Sequence, residues 1–152
     1  MLGRYVHDPS EKLWNAYFQI AKNLVKTRDF KLVFGTPDIE LMDLELYGHS
    51  NSDWGGSTED RKSTDAYIFI LLGAAISWKV KLSQTACLSS QEACSCALSE
   101  ATKEALNLRI LMQQPGFGST KPTTIFCDNK GAITMGLHPS NKPITRHIDM
   151  RK

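Results

Sequence analysis

The sequence predicts an α/β domain with a mixed sheet, and three observations point to it. The chain has 152 residues, of which 41% are hydrophobic and 22% charged, so it can bury the core of one domain. Three neighbouring segments in its middle part have strand-like patterns. A long helical pattern, a further strand and a short helix follow. Three antiparallel strands and a helical crossover to a fourth strand predict a mixed sheet with a right-handed crossover.

Residues 1–45 predict a helix and a short strand that precede this domain. Asp8-Pro9-Ser10-Glu11 is typical of a helix start, with Asp8 as the capping residue. Residues 30–34 predict a short strand closed by Gly35, and residues 36–38 predict a turn. Apolar residues at helical spacing predict that the helix packs one face, formed by Trp14, Tyr17, Phe18, Ala21, Leu24 and Val25.

The domain itself is predicted over residues 46–152. Apolar and polar side chains alternate from Leu44, which predicts a strand running towards residues 51–53. Residues 67–72 and 75–80 are β-rich and predict a hairpin around Gly73.

The second half of the domain predicts a helix, a strand and a helix. Ser89-Ser90-Gln91-Glu92 is typical of a helix start, and the helical pattern continues to about Met112. Residues 123–127 predict a strand, and residues 129–137 predict a short helix.

Composition argues against a membrane-spanning chain and favours an intracellular one. The longest apolar run, residues 66–76, is too short to cross a bilayer. Arg4, His7 and Asp8 stand where a secretory signal would have an apolar segment. The cysteines have no zinc-type CxxC spacing, so thiols in a reducing compartment are the simplest interpretation. They are Cys87, Cys94, Cys96 and Cys127.

The C-terminal part of the chain is basic. Residues 121–152 carry six basic side chains against two acidic ones, so this tail either follows a phosphate backbone or is a solvated terminus. Trp54 and Trp78 could stack on bases, but we expect them to pack within the fold. We expect His138 and His147 to face solvent.

Candidate site residues stand where strands end and where the long helix begins. They are Asn51 and Asp53, then Glu92, then Asp128. Ligands of open α/β sheets bind at such strand ends, and converging carboxylates are the ligands that Mg²⁺ prefers. Each residue also has a structural interpretation, which the sequence leaves open. Glu92 suits the helix dipole, Asp128-Asn129 suits a helix cap, and Asp53 suits a turn.

A series of motifs resembles the ribonuclease H domain of Ty1/copia retrotransposon Pol polyproteins, in the same order. The motifs are GHSNSDWGG at 48–56, RKST at 61–64, ISW at 76–78, LSSQEA at 88–93, CDN at 127–129 and RHIDMR at 146–151. The resemblance covers residues 46–152. Residues 5–35 resemble the segment that joins reverse transcriptase to this domain.

The resemblance implies a ribonuclease H-like fold and a Mg²⁺-dependent endonuclease. That family cleaves the RNA strand of an RNA–DNA hybrid with two metal ions and four carboxylates. Glu92 and Asp128 match two of these positions, whereas Asn51 stands where the family has an aspartate. The fourth carboxylate lies beyond Asp149, on a final strand and helix that we expect this domain to lack. Asp149 is not assigned as its replacement.

Counting charges predicts a weakened metal site. Two Mg²⁺ ions bring four positive charges, but Glu92 and Asp128 supply only two negative ones. Asp53 lies on the same strand face as Asn51, but about 6 to 7 Å further along, so it substitutes only if the strand bulges. We therefore expect hybrid cleavage to be absent or nearly so.

Other functions are left open by the sequence. One is a working nuclease rescued by Asp53 or by a C-terminal piece supplied from elsewhere. Another is a repurposed module that binds nucleic acid or a protein partner, including an effector without its leader. An uncovered sheet edge also leaves open a homodimer.

Overall fold

The computed structural model describes residues 7, 8, 10–35, 45–57, 61–84, 86–116 and 118–137. The chain divides into two compact units, residues 1–32 and residues 33–152. The turn predicted at 36–38 and the basic tail from residue 138 lie outside the described residues, as do His138, His147 and Asp149. The boundary predicted between residues 45 and 46 stays a prediction.

The first unit contains helix α1, Glu11–Lys26. Its N-cap is Ser10 rather than Asp8, so that part of the prediction was wrong, and no side chain caps the first turn. The aromatic side chains form their own cluster, with the Trp14 ring centroid 5.7 Å from that of Tyr17 and 5.2 Å from that of Phe18. None of the helix residues is buried.

The short strand predicted at residues 30–34 does not form. Phe30 donates its N–H to the carbonyl of Thr27 and so closes a turn after α1, and residues 30–35 are neither helix nor strand. A strand needs a neighbour for its alternating hydrogen bonds. None of the described strands pairs with this stretch, although Gly35 donates its N–H to the carbonyl of Leu72.

The second unit is an α/β domain with a mixed four-stranded sheet, as predicted. The strands are β1 (Tyr47–Asp53), β2 (Thr64–Leu71), β3 (Ala74–Leu82) and β4 (Thr124–Cys127). Their order is β3-β2-β1-β4. β1 pairs antiparallel with β2 and parallel with β4, and β2 pairs antiparallel with β3.

The predicted hairpin turns at Leu72-Gly73, between β2 and β3. Both residues have positive φ, 50° and 79°, as a two-residue type I′ turn requires. This turn follows the right-handed twist of the strands, and glycine at its second position adopts the left-handed conformation without strain.

One long helix, α2 (Ser90–Gln113), packs on one face of the sheet. Its buried stripe is almost entirely alanine, at Ala93, Ala97, Ala101 and Ala105, each four residues from the next. Such short side chains let the helix lie close to the sheet, where Ala101 and Ala105 join Leu46 and Phe69 in the core.

The last described element is helix α3, Lys130–Leu137, which contacts α2 and β4. Asn129 caps it, because its Oδ1 accepts the N–H of Ala132 at 3.0 Å. Among the helices of the described ranges, none is long and apolar enough to cross a membrane.

Candidate functional site

The alternation along β1 decides which candidate side chains face α2. Gly48 and Ser50 are buried on the α2 side, whereas His49, Asn51 and Asp53 are exposed on the opposite side. The Asn51 side chain turns back on the chain, since its Oδ1 accepts the N–H of Ser52 at 2.7 Å.

Asp128 lies beside Asn51, at the end of the neighbouring parallel strand. The β1–β4 register pairs Ser50 with Cys127, so the next residues, Asn51 and Asp128, lie at adjacent positions. Both side chains are exposed. The structure thus brings together Asn51 and Asp128, two of the predicted site positions.

Asp53 does not join them. It is the last residue of β1, and its carboxylate lies over Gly56, where an added Cβ would overlap it. Because glycine has no side chain, position 56 leaves space for the Asp53 carboxylate. The structural interpretation of Asp53 as a turn residue fits this placement.

Glu92 is almost fully buried, at 3% exposure, in the first turn of α2. Its Oε2 accepts the N–H of Leu88 at 2.7 Å, and its own N–H donates to the Oγ of Ser89 at 3.1 Å. This is close to a capping box, in which a first-turn carboxylate and the N-cap hydroxyl satisfy the backbone donors of the helix start. The carboxylate thus holds the loop that leads into α2.

Cys94, not Glu92, faces the end of β4. Asn129 hydrogen-bonds the Cys94 thiol, whose pKa is raised first by burial and then by the neighbouring Cys127 and Asp128. Positions 92 and 94 of a helix point about 200° apart. The Glu92 carboxylate therefore lies on the side of α2 that faces Leu88, away from Asp128.

Within the part of the chain that the structure describes, the candidate residues do not form a two-metal centre. Among residues in the described ranges, no group of three or more His, Cys, Asp or Glu side chains is placed to hold a metal ion. Mg²⁺ sheds its water reluctantly and needs several oxygen ligands in near-octahedral geometry. Asp128 alone beside the amide of Asn51 does not supply them.

The loop before α2 is held from a second direction. Trp54 donates its indole N–H to the carbonyl of Cys87 at 3.0 Å, which supports the packing role that the sequence favours for this residue. Burial, followed by the nearby Cys96 and Glu92, raises the pKa of the Cys87 thiol to about 12. Sequence reasoning missed this contact between Cys87 and Cys96, because the path of the loop cannot be derived from residue spacing.

The opposite face of the sheet, here called the outer face, is apolar and aromatic. His49 stacks on Phe126, with centroids 5.1 Å apart, and Tyr47 meets Phe126 edge-on at 6.2 Å. Cross-strand partners share a face, which places Ile68 and Trp78 beside His49. The apolar and aromatic residues of the outer face are Tyr47, His49, Ile68, Trp78, Val80 and Phe126, and Asn51 and Asp53 lie on the same face.

Comparison with known proteins places the chain among retroelement-related sequences. It is 32% identical over 151 residues to the retrovirus-related Pol polyprotein from transposon TNT 1-94 of Nicotiana tabacum. That match covers 99% of this chain and 11% of the polyprotein, so the chain spans about a tenth of the length of this relative. No protein-family model matches the chain.

A second relative is close to the chain in length. Secreted RxLR effector protein 161 of Plasmopara viticola is 36% identical over 110 residues, which cover 72% of this chain and 75% of the effector. This chain belongs to the same family as that effector. The family is therefore related to Pol polyproteins of the Ty1/copia type, which match most of the chain at 29–32% identity.

Among solved structures, endonuclease V of Ciona intestinalis in complex with DNA is similar to this chain. The match has 15% sequence identity and a TM-score of 0.31, and it covers 72% of this chain and 45% of that one.

Proposed function

We propose that this chain is a retroelement-derived ribonuclease H-like domain that does not efficiently hydrolyse the RNA strand of RNA–DNA hybrids. The observation that carries the proposal is the direction of Glu92. Its carboxylate accepts the N–H of Leu88 in the loop before α2. The residue of α2 that lies near Asp128 is Cys94, about 200° around the helix from Glu92. The resemblance assigns both Glu92 and Asp128 to the metal site, but Glu92 bonds the loop before α2 and Asp128 is exposed to water.

The ancestry rests on sequence and topology together. The motifs at 48–56, 88–93 and 127–129 fall at β1, at the start of α2 and at the end of β4. The sheet has the order β3-β2-β1-β4, and α2 follows β3 and precedes β4 along the chain. The three motifs therefore lie at the same end of the sheet. Pol polyproteins match nearly the whole chain.

The chemical consequence follows from charge. A developing negative charge on phosphate needs positive charge fixed beside it, and that cation needs carboxylates to hold it. Near the ends of β1 and β4, Asn51 is neutral and Asp128 is exposed to water. Loss of one ligand interaction worth about 4 kcal/mol already slows a reaction about a thousandfold.

A cleavage assay tests the proposal. A labelled RNA–DNA hybrid is incubated with the full chain in Mg²⁺ and in Mn²⁺, beside Glu92→Gln and Asp128→Asn variants prepared in the same way. We expect all three proteins to give the same background. Cleavage by the unaltered chain that both substitutions abolish would contradict the proposal.

A second candidate is a repurposed module that binds a protein partner, and the outer face favours it. Trp78, Val80 and Phe126 of this face are 63%, 72% and 51% exposed. Exposed contiguous apolar surface is typical of interaction sites. The relative of similar length is a secreted effector, which gives this candidate a precedent in the family.

Hybrid binding at two salt concentrations separates these candidates. Binding to phosphate weakens steeply as salt rises, because bound counterions are released. Fluorescence anisotropy at low and moderate salt should show no hybrid binding if the module is specialised for protein. Tight binding that weakens with salt would support a nucleic-acid function instead.

A further inference from the structure

Two cysteines meet where the loop before α2 touches the second turn of that helix. Cys87 lies in the loop and is 7% exposed, whereas Cys96 lies on α2 and is half-buried. Neither is in a disulfide.

Helix geometry independently places Cys96 on the side of α2 that faces the loop. Residues four apart on a helix lie on the same face, so Cys96 follows Glu92 along that face. The carboxylate of Glu92 accepts the N–H of Leu88 at 2.7 Å, so this face meets the loop next to Cys87. Cys96 is also among the neighbours that raise the pKa of the Cys87 thiol, which agrees with this placement.

Both ends of this contact are held in place. Trp54 donates its indole N–H to the carbonyl of Cys87 at 3.0 Å, and Ser89 caps α2 through the N–H of Glu92. The loop is therefore already positioned against the helix, and the two sulfur atoms can react without a large rearrangement.

The other two cysteines face elsewhere. Cys94 is two residues from Cys96 and points about 200° away on the helix. It hydrogen-bonds Asn129 and lies near Cys127 at the end of β4. This separation makes the Cys87–Cys96 pairing selective.

We propose that Cys87 and Cys96 are a redox modification site, which a low-molecular-weight disulfide such as oxidised glutathione converts to an intramolecular disulfide. The more exposed Cys96 attacks the small disulfide as its thiolate, forms a mixed disulfide and releases one small thiol. Cys87 then loses its proton, and its sulfur attacks Cys96, expelling the second small thiol. The two protein thiols are oxidised, and the small disulfide is reduced to two thiols.

The bond ties the loop to the second turn of α2. It closes a ring over residues 87–96, which contains the N-cap Ser89 and the capping Glu92. A crosslink of this kind restricts the unfolded chain and stabilises the folded one. Oxidation should therefore hold the start of α2 in its capped form.

Peptide mapping tests the proposal. The reduced full chain is incubated with oxidised glutathione, unfolded in the presence of an alkylating reagent, and digested with a protease that cuts after glutamate. Because Glu92 lies between the two cysteines, cleavage there separates Cys87 from Cys96 unless a disulfide joins their peptides. We expect joined peptides and a mass lower by two hydrogen atoms in the unaltered chain.

Matched variants assign the bond. Cys94→Ser should keep the joined peptides, and Cys96→Ser should lose them. Oxidation should also raise the urea midpoint of the unaltered chain, reversibly on reduction, but leave that of Cys96→Ser unchanged. A bond from Cys87 to Cys94 or Cys127 would overturn the proposal. So would a disulfide between chains, or stable glutathione adducts without a crosslink. Cys94 and Cys96 lie on the same peptide after this digestion, so fragmentation of the joined peptides between them identifies the bonded cysteine in the unaltered chain even if a variant fails to fold.

Discussion

At the scale of single residues, Gly48 and the capping pair Ser89 and Glu92 show how side-chain size and helix capping shape the framework. Gly48 lies directly across from Phe69 in the β1–β2 register, and the ring of Phe69 fills the space that a side chain at position 48 would need. Ser89 and Glu92 together fix where α2 begins. Neither Gly48 nor Ser89 is a candidate metal ligand, so changes at these two positions report on the framework rather than on chemistry.

Gly48→Ala should destabilise the domain. A Cβ at this position would lie 2.5 Å from Cε1 and 2.8 Å from Cδ1 of Phe69, a fully buried ring. Overpacking of this kind costs about 1 to 3 kcal/mol in the free energy of unfolding. Urea unfolding measures it, with Gly136→Ala as the control, because the nearest atom there is 4.0 Å from an added Cβ. Equal midpoints for the two variants would contradict this packing.

Ser89→Ala should remove the cap of α2. The lost bond joins the Oγ of Ser89 to the N–H of Glu92, and loss of an N-cap costs about 1 kcal/mol. Ser99→Ala is the control, since Ser99 is exposed in the middle of the same helix. Urea midpoints of the two variants check the prediction. A midpoint for Ser89→Ala as high as that for Ser99→Ala would show that the cap does not stabilise the helix.

The sequence predicted that Glu92 lies at the start of a helix and that Asp128 follows a strand, but not where their side chains point. The pattern at 89–92 already fitted a helix start, and Ser89 is the N-cap that this pattern implies. The direction of Glu92 depends on the helix rotation relative to β4, which tertiary packing of the alanine stripe sets. Spacing along the chain carries no such information.

At the scale of elements, α2 is held to the sheet by its alanine stripe and by charges at β3. Glu100 meets Lys79 and Lys81 of β3 at 3.8 and 4.0 Å, and Lys103 of its own helix at 2.8 Å. The hydrogen bond from Lys103, and then the nearby positive charges, lower the pKa of the Glu100 carboxyl although burial raises it. The charged form of Glu100 is therefore favoured in the folded chain.

Glu100→Gln should lower stability slightly at neutral pH and not at acid pH. A carboxyl whose pKa is lower when folded contributes stability above its unfolded pKa, and this is lost as pH falls through the folded value. Urea midpoints of both proteins across the acid range test this. The difference should shrink with acid and with added salt, because exposed charges are screened. A difference that widens on acidification would contradict the assignment.

Elements with strong local patterns were predicted well. α2 was expected from Ser89 to about Met112 and spans Ser90–Gln113, and the hairpin turns at Gly73 as its glycine implied. The strand at 30–34 was wrong because an apolar run forms a strand only where a neighbour pairs with it. The side chains of residues 30–34 alone do not show that none of the described strands pairs with this segment.

At the scale of the whole molecule, the chain combines a retroelement sequence with separated carboxylates. Its relatives are Pol polyproteins many times its length and an effector of similar length. Family membership therefore does not by itself assign the function, and the placement of Glu92 and Asp128 has to decide it.

Titration with Mn²⁺, followed by its EPR signal, tests this placement most directly. The full chain is compared with Glu92→Gln, Asp128→Asn and Asn51→Asp variants, the last of which restores the aspartate that the resemblance implies. We expect that none of the four proteins shows saturable binding of Mn²⁺. Saturable binding of two ions, lost in both Glu92→Gln and Asp128→Asn, would contradict it, and so would a site that Asn51→Asp creates together with hybrid cleavage.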